Sequence, residues 1–294
     1  MKVRIGVSSG PETIAGEELG RLVRDLEDRG FDSLWMPEIL TAPGADPLTG
    51  LAYVAGQVDH LKLGTTLVLP GRNPVRLAQQ LATLDRLSGG RLLVTFVLGL
   101  NRPRELAALG VDAGERGARA DELLPLLRRL WTGEPVDHEG PHWSLPGVTV
   151  SPRPLQDPLE AWFGGTAPSA WRRTGRLADG WLPSFCTPAE AATGRVGVEE
   201  AAAEAGRTIS PEHYGVTIGY LDSGAPADLL HRLGSPRKPL DPAAVPVGLP
   251  ALRARIEAFL EVGFSKFVVR PILPPESWPA ELDRLADTLL DLQT

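Results

Sequence analysis

The stretch RGFDSLWMPE, Arg29 to Glu38, reads as the join between an amphipathic helix and a buried strand. Phe31 to Met36 is a short apolar run with one polar break, the pattern of a strand covered on both faces. Gly30 suits the left-handed position that ends a helix, and Pro37 stops the strand. Glu38 then projects from the strand's C-terminal end. In a parallel α/β fold that end is where ligands bind.

The same unit recurs on both sides of this stretch. Val3 to Val7 reads as a strand closed by the turn Ser8-Ser9-Gly10, and a helix follows through Leu19, Leu22, Val23 and Leu26. Beyond Glu38 and the loop Thr41 to Asp46, a helix from about Pro47 carries Leu51, Val54, Ala55 and Val58. Leu63 to Leu69 is a third strand, and Pro74 to Leu87 a helix ended by Ser88-Gly89-Gly90. Leu92 to Leu98 is a fourth strand running into Gly99-Leu100-Asn101. A helical region follows through Leu123, Leu124, Leu127, Leu130 and Trp131, where Pro125 predicts a kink or a late start.

Residues 137–154 break the rhythm and predict an inserted hairpin or loop. Ala161 to Gly164 resumes as the fifth strand, and Gly165 to Ser169 leads into a helix. Gly180 to Pro183 is a short sixth strand, with Thr187-Pro188 as N-cap and first helical residue. Tyr214 to Tyr220 is the seventh strand, and proline-rich 235–250 predicts a long loop. A helix over Ala251 to Val262, an eighth strand over Lys266 to Arg270 and a closing helix through Leu282, Leu285 and Leu289 complete the chain. Eight strand–helix units in 294 residues, with no linker-like shift in composition, predict one (β/α)8 TIM barrel over residues 1–294.

Bulk composition narrows the function. With 43% apolar and 23% charged residues, the chain can bury a large core. A net charge of -7 argues against nucleic acid or an anionic membrane as the main partner. One cysteine, Cys186, rules out an internal disulfide and suits a reducing cytoplasm. The N-terminal apolar run is too short for a signal peptide, and none approaches the roughly 20 residues of a membrane span. A cytoplasmic, soluble protein is the expectation.

Several motifs fail on inspection. His138-Glu139-Gly140-Pro141-His142 matches the letters of a zinc-peptidase helix, but Gly-Pro at its centre forbids that helix. A polar hairpin tip is the expectation there, and no metal site is expected. The dinucleotide fingerprint, the P-loop and the G-x-S-x-G elbow are absent. Cys186 reads as inert packing rather than a reactive thiol.

Three features survive. Phe163-Gly164-Gly165-Thr166-Ala-Pro-Ser169 ends a strand in two glycines before a helix N-terminus. It can cradle a phosphate on backbone N–H groups, or it can be a tight turn with a Thr or Ser cap. Gly99-Leu100-Asn101 is a weaker candidate for the same anion. Thr65-Thr66 puts two hydroxyls inside an apolar strand, either to meet a polar ligand edge or to pair internally. Glu38, Asp46 and Arg270 are the charges near the barrel mouth, where structural ion pairs are commoner than chemistry. Trp35, Trp143, Trp162, Trp171 and Trp181 read mostly as core or loop packing.

Together these pieces resemble the bacterial luciferase-like flavin and deazaflavin oxidoreductases. RGFDSLWMPE (29–38), LGTTLVLPGRNPVRLAQQLATLDRLSGGRL (63–92), RRLWTGEPV (128–136), GGTAPSAWRRTGRLADGWLPS (164–184) and GFSKFVVRP (263–271) fall in that family's order. The pattern is similar to its F420-dependent, actinobacterial branch. The resemblance implies a barrel whose C-terminal mouth binds F420, or alternatively FMN. It implies a ring against Thr65, Thr66 and Leu67, often beside a non-proline cis peptide, and a phosphate on Gly164, Gly165, Thr166 and Ser169, with Gly99 and Asn101 nearby. The implied activity is hydride transfer between the deazaflavin and a small organic substrate. Many relatives carry a histidine after Pro-Glu; here that position is Ile39, which leaves Glu38 as the proton-handling candidate. The alternatives are an FMN-dependent monooxygenase served by a flavin reductase and oxygen, and a barrel that has lost its cofactor and binds a ligand or partner. Relatives are commonly homodimers.

Overall fold

The computed structural model describes residues 1–9, 16–224, 229 and 240–294. Along the chain these form β1 (Arg4–Ser8), α1 (Gly16–Asp28), β2 (Ser33–Pro37), α2 (Pro47–Val54), β3 (Lys62–Val68), α3 (Pro74–Leu87) and β4 (Leu92–Val97). Then come α4 (Pro103–Leu109), α5 (Arg116–Trp131), the hairpin strands β5 (Val136–Glu139) and β6 (Ser144–Val148), β7 (Ala161–Phe163) and α6 (Pro168–Leu177). The chain closes with β8 (Gly180–Trp181), α7 (Pro188–Glu204), β9 (Gly215–Tyr220), α8 (Leu249–Glu261), β10 (Lys266–Pro271) and α9 (Trp278–Leu289).

Eight parallel strands run in the order β8-β7-β4-β3-β2-β1-β10-β9. Bridges from Trp181 to Tyr214 and from Ser184 to Thr217 join β8 to β9, so the sheet curls into the expected TIM barrel. Strand alternation creates two apolar regions. Leu34, Met36, Leu63, Leu67, Val94 and Phe96 face the helices and belong to the main core. Trp35, Leu182 and Val268 form a separate buried cluster inside the lumen, with Leu93 and Trp162 against it.

Local chemistry explains the helix boundaries. Asn73 caps α3 by accepting from Arg76 N–H at 3.0 Å, with Pro74 at the first position. Thr187 and Glu190 form a reciprocal capping box on α7. The late start predicted at Pro125 is not what forms: α5 begins at Arg116 and runs through the proline. An interior proline costs about 3 kcal/mol. Burial of Leu123, Leu124, Leu126, Leu127 and Leu130 offsets it, at roughly 1.5–3 kcal/mol each.

The 137–154 interruption is the antiparallel β5–β6 hairpin. Glu122 of α5 holds it, accepting from the His142 and Trp143 N–H groups, with His138 Nε2 2.8 Å away. The predicted loop over 235–250 is corrected at its end: a 3-10 turn spans Pro242–Ala244 and α8 starts at Leu249. Residues 235–239, like Gly10 of the predicted first turn, lie outside the described residues.

Asp85 ties the post-hairpin segment down. It is fully buried on α3, and its carboxylate accepts from Leu155 N–H at 2.6 Å, Gln156 N–H at 2.9 Å and Gln156 Nε2 at 2.6 Å. Asp85→Asn removes the charge from these bonds and sets one amide donor against another. We expect a loss of about 1–2 kcal/mol in urea unfolding, with binding at the mouth unchanged.

Candidate active site at the C-terminal mouth

β2, β3, β4 and β7 are consecutive in the sheet, so the loops after them share one sector of the mouth. That sector collects Glu38, Thr66, Gly99, Asn101, Gly164, Gly165, Thr166 and Ser169. The strand-three expectation needs correction. Thr65 and Leu67 point to the helix layer, where Thr65 Oγ1 donates to the Met36 carbonyl at 3.0 Å and Leu67 is fully buried in the main core. Thr66 alternates with them and faces the lumen, in register with Pro37 and Thr95. Of the three side chains, Thr66 alone is available to a ligand in the barrel. The cis peptides of the described residues are Ser151–Pro152 and Asp157–Pro158, both away from β3.

Glu38 occupies the tip of β2 with both carboxylate oxygens engaged. One pairs with the Arg72 guanidinium, and the other accepts from Val68 N–H at 2.7 Å. Arg72 also donates to the Val68 carbonyl at 3.1 Å. The pair therefore clamps the end of β2 to the end of β3. Ile39 follows on a cavity of about 220 Å³ beneath the 39–47 loop, whose wall includes Glu38, Pro43 and Asp46. Asp46 itself caps α2 by accepting from Thr49 N–H at 2.8 Å.

Glu105 straps that loop to α4. Its side chain is buried, accepting from Leu40 N–H at 3.0 Å and from the Thr41 hydroxyl at 2.7 Å. Arg116, at the start of α5, donates to the Leu98 and Gly99 carbonyls at 3.2 and 3.0 Å. Burial pushes its pKa down from the ordinary arginine value. Gly99 has φ +77°, and a Cβ there would sit 2.9 Å from Val68, so glycine is required for the loop to pass β3.

The Gly164-Gly165 turn is built for close approach. A Cβ on Gly164 would lie 2.8 Å from Val97 and 3.1 Å from the Leu182 carbonyl. Gly165 has φ +105°, and its carbonyl accepts from Trp181 Nε1 at 3.0 Å. The N-cap of α6 is Ala167, and no side chain caps the helix. The reading of this stretch as a Thr- or Ser-capped turn therefore does not hold; Thr166 and Ser169 leave the helix N-terminus open to an anion. Arg173, one turn further on, is buried with its guanidinium 5.5 Å above the Phe163 ring. Its Nε donates to Asp121 at 2.5 Å, while Nη1 has no hydrogen-bond partner among the described residues.

Phe185 closes the far side. It is the one non-glycine residue with positive φ among the described residues, at +52°, and its ring edge fills the space a Cβ on Gly219 would take. Its neighbour Cys186 is buried. Arg72, Glu105, Arg116, Arg173 and Phe185 went unread in the sequence, because each acts through a long-range contact with no local spacing signal.

His60, His138, His142 and His213 lie near the barrel's N-terminal end or on the hairpin, and His231 falls outside the described residues. Among the described residues, no group of three or more His, Cys, Asp or Glu side chains could hold a metal ion. No described helix is long and apolar enough to cross a membrane.

Comparison with known proteins agrees with this fold. The F420-dependent glucose-6-phosphate dehydrogenase of Nakamurella multipartita is 32% identical over 68% of this chain and 63% of that relative. Its counterpart in Beutenbergia cavernae is 28% identical over 98% of this chain and 96% of the relative. With several curated relatives, the match spans less than two thirds of their own length, from 56% to 63%. An F420-dependent secondary alcohol dehydrogenase, solved with an F420–acetone adduct, superposes with a TM-score of 0.83 over 100% of both chains. At 19% identity that likeness shows the fold alone. The model of the luciferase-like monooxygenases matches residues 1–221, well over half the sequence, and the chain belongs to that family.

Proposed function

We propose that the chain is an F420-dependent oxidoreductase acting on a small organic substrate at the C-terminal mouth. The observation that carries this reading is the Gly164-Gly165 turn ahead of an α6 N-terminus that no side chain caps. A relative named for F420 dependence matches along 98% of the chain, which supports the same assignment.

The residues present fit such a group. The backbone N–H groups of Gly165 and Thr166 and the α6 N-terminus would hold its phosphate, with Ser169 and Thr166 hydroxyls as further donors, while the Gly164 N–H is spent on the Phe96 carbonyl at 2.8 Å. Gly99 and Asn101 would border it from the neighbouring loop. Thr66 would meet the polar edge of the ring from the lumen, and Thr65 and Leu67 would support it through the strand rather than by side-chain contact. When bound, the deazaflavin supplies hydride transfer at its C5. The accompanying proton falls to Glu38, the ionisable side chain at the β2 tip, whose orientation Arg72 fixes. Phe185 and the 39–47 loop would exclude water from the mouth.

The test is chemical. Purified protein is mixed with F420 in each redox state and with panels of small alcohols and carbonyls, and the deazaflavin absorbance is followed. Substrate-dependent conversion is expected; no conversion across both panels, together with oxygen consumption when reduced FMN is supplied, would move the assignment to an FMN-dependent monooxygenase. That second reading is favoured by the family's description. Ile39 motivates the third, a cofactor-free binding barrel, for which neither cofactor would bind.

Within the leading reading, the two threonines separate. Thr65→Val should cost about 1 kcal/mol of stability by losing its bond to Met36 and should leave F420 affinity unchanged. Thr66→Val should reverse this, weakening F420 binding several-fold with little change in melting temperature. Equal effects from the two would overturn the division of roles. The buried lone cysteine supports a reducing, cytoplasmic setting, and a homodimer follows by analogy with relatives.

A further inference from the structure

At the end of the barrel opposite the mouth, the lumen is not filled. A cavity of about 200 Å³ opens there, between the first residues of the strands. Its walls are the lumen cluster of Trp35, Leu93, Trp162, Leu182 and Val268. A TIM-barrel interior is ordinarily packed by layers of branched side chains. Here two indoles take that place, and glycines make room for them. A Cβ on Gly64 would fall 2.3 Å from the Trp35 ring, and one on Gly180 would fall 2.4 Å from Trp162. The result is a slot with aromatic faces.

Both ends of the slot are polar. At the inner end stands Thr95, 1% exposed, whose Oγ1 has no hydrogen-bond partner among the described residues. A buried hydroxyl without a partner costs roughly 1–3 kcal/mol, which a ligand donor or acceptor would recover. At the outer rim Arg4 and Lys62 share one carboxylate, Asp32, at 3.3 and 3.2 Å. Lys266, also on the wall, donates to the Lys2 carbonyl at 2.7 Å and to the Ser265 hydroxyl at 3.1 Å and lies 3.6 Å from Glu212, and burial pushes its pKa down. Glu160 on the same rim is engaged by Trp162 Nε1 at 3.1 Å and lies 3.5 Å from His213. Arg4, Lys62 and Lys266 thus face Asp32, Glu160 and Glu212, and Arg4 also donates to the main-chain oxygen of Thr294; Lys62, whose side chain is the most exposed of the three cations, is the one an anionic head can reach.

We propose that this end of the lumen is a second small-molecule site, separate from the mouth, for a monocyclic aromatic carboxylate bearing a hydroxyl. Its ring lies between Trp35 and Trp162, its carboxylate meets Lys62, and its hydroxyl meets Thr95. The size agrees: a cavity of roughly 150 Å³ accepts benzene. Lys62 is in register with the residue before Leu92, so Thr95 stands four residues above it, or about 13 Å along the strand. That length suits a lysine side chain followed by a substituted ring.

The experiment titrates the full chain with 4-hydroxybenzoate, benzoate and toluene, following tryptophan fluorescence and calorimetry. Saturable one-to-one binding is expected, strongest for 4-hydroxybenzoate. Lys62→Gln should weaken both acids at least fivefold. Thr95→Val should weaken 4-hydroxybenzoate towards benzoate and leave the melting temperature unchanged or raised, since it removes an unpartnered hydroxyl. Gly165→Asp, at the mouth, should leave the affinity for all three ligands unchanged. Absence of saturable binding, affinity indifferent to both lumen variants, or loss of binding in Gly165→Asp would each overturn the proposal. Because these ligands need no redox cofactor, the result stands apart from the fate of the F420 assignment.

Discussion

Gly165→Asp should abolish F420 binding, by at least about 100-fold or ~2.7 kcal/mol, while leaving a folded barrel. The substituted carboxylate enters the turn where the phosphate is assigned and opposes it at the open N-terminus of α6. Backbone strain contributes separately, because φ is +105° at this position and a Cβ would sit 3.1 Å from Ala170. Gly165→Ala carries the same strain without the charge, so it serves as the control. Its affinity loss should be much smaller, with a similar fall in melting temperature. Equal losses in Asp and Ala would assign the effect to backbone geometry and remove the phosphate from this loop.

Arg72→Ala should be the costliest change at the mouth for stability, at roughly 3–5 kcal/mol in chemical unfolding. The Glu38 side chain is 8% exposed, and without Arg72 its charge keeps only the Val68 N–H. The double variant Glu38→Met with Arg72→Met removes both charges and should recover most of that stability. It then separates structure from chemistry. If Glu38 handles the proton, the double variant binds F420 yet turns over at least about 100-fold more slowly, in the range ascribed to acid–base groups. Retained turnover with an unchanged pH profile would leave Glu38 as the clamp of β2 to β3 alone.

The contrast between what was legible in the chain and what was not follows the range of each interaction. Strands came through as apolar runs between glycine and proline punctuation, and Pro74, Thr187 and Gly30 marked element ends by local chemistry. The pleat was the first loss. Thr65 and Thr66 are adjacent letters, but alternation sends one hydroxyl to Met36 and the other to the lumen. The late start read at Pro125 does not form: the local cost was visible and the burial that offsets it was not. The strap from Glu105 to Leu40 spans 65 positions, and the arginine over Phe163 donates to Asp121, 52 positions away. Glu38 sat between the two cases, since its place at a strand tip was readable and its pairing with Arg72 was not.

The Gly164–Thr166 turn and the lumen face of β3 are proposed to hold a deazaflavin. Equilibrium titration of the purified full chain with F420 and, separately, with FMN tests it most directly. Saturable F420 binding is expected at micromolar or tighter concentrations, with FMN at least about tenfold weaker. Tight FMN binding without F420 binding, or no binding of either, would contradict it.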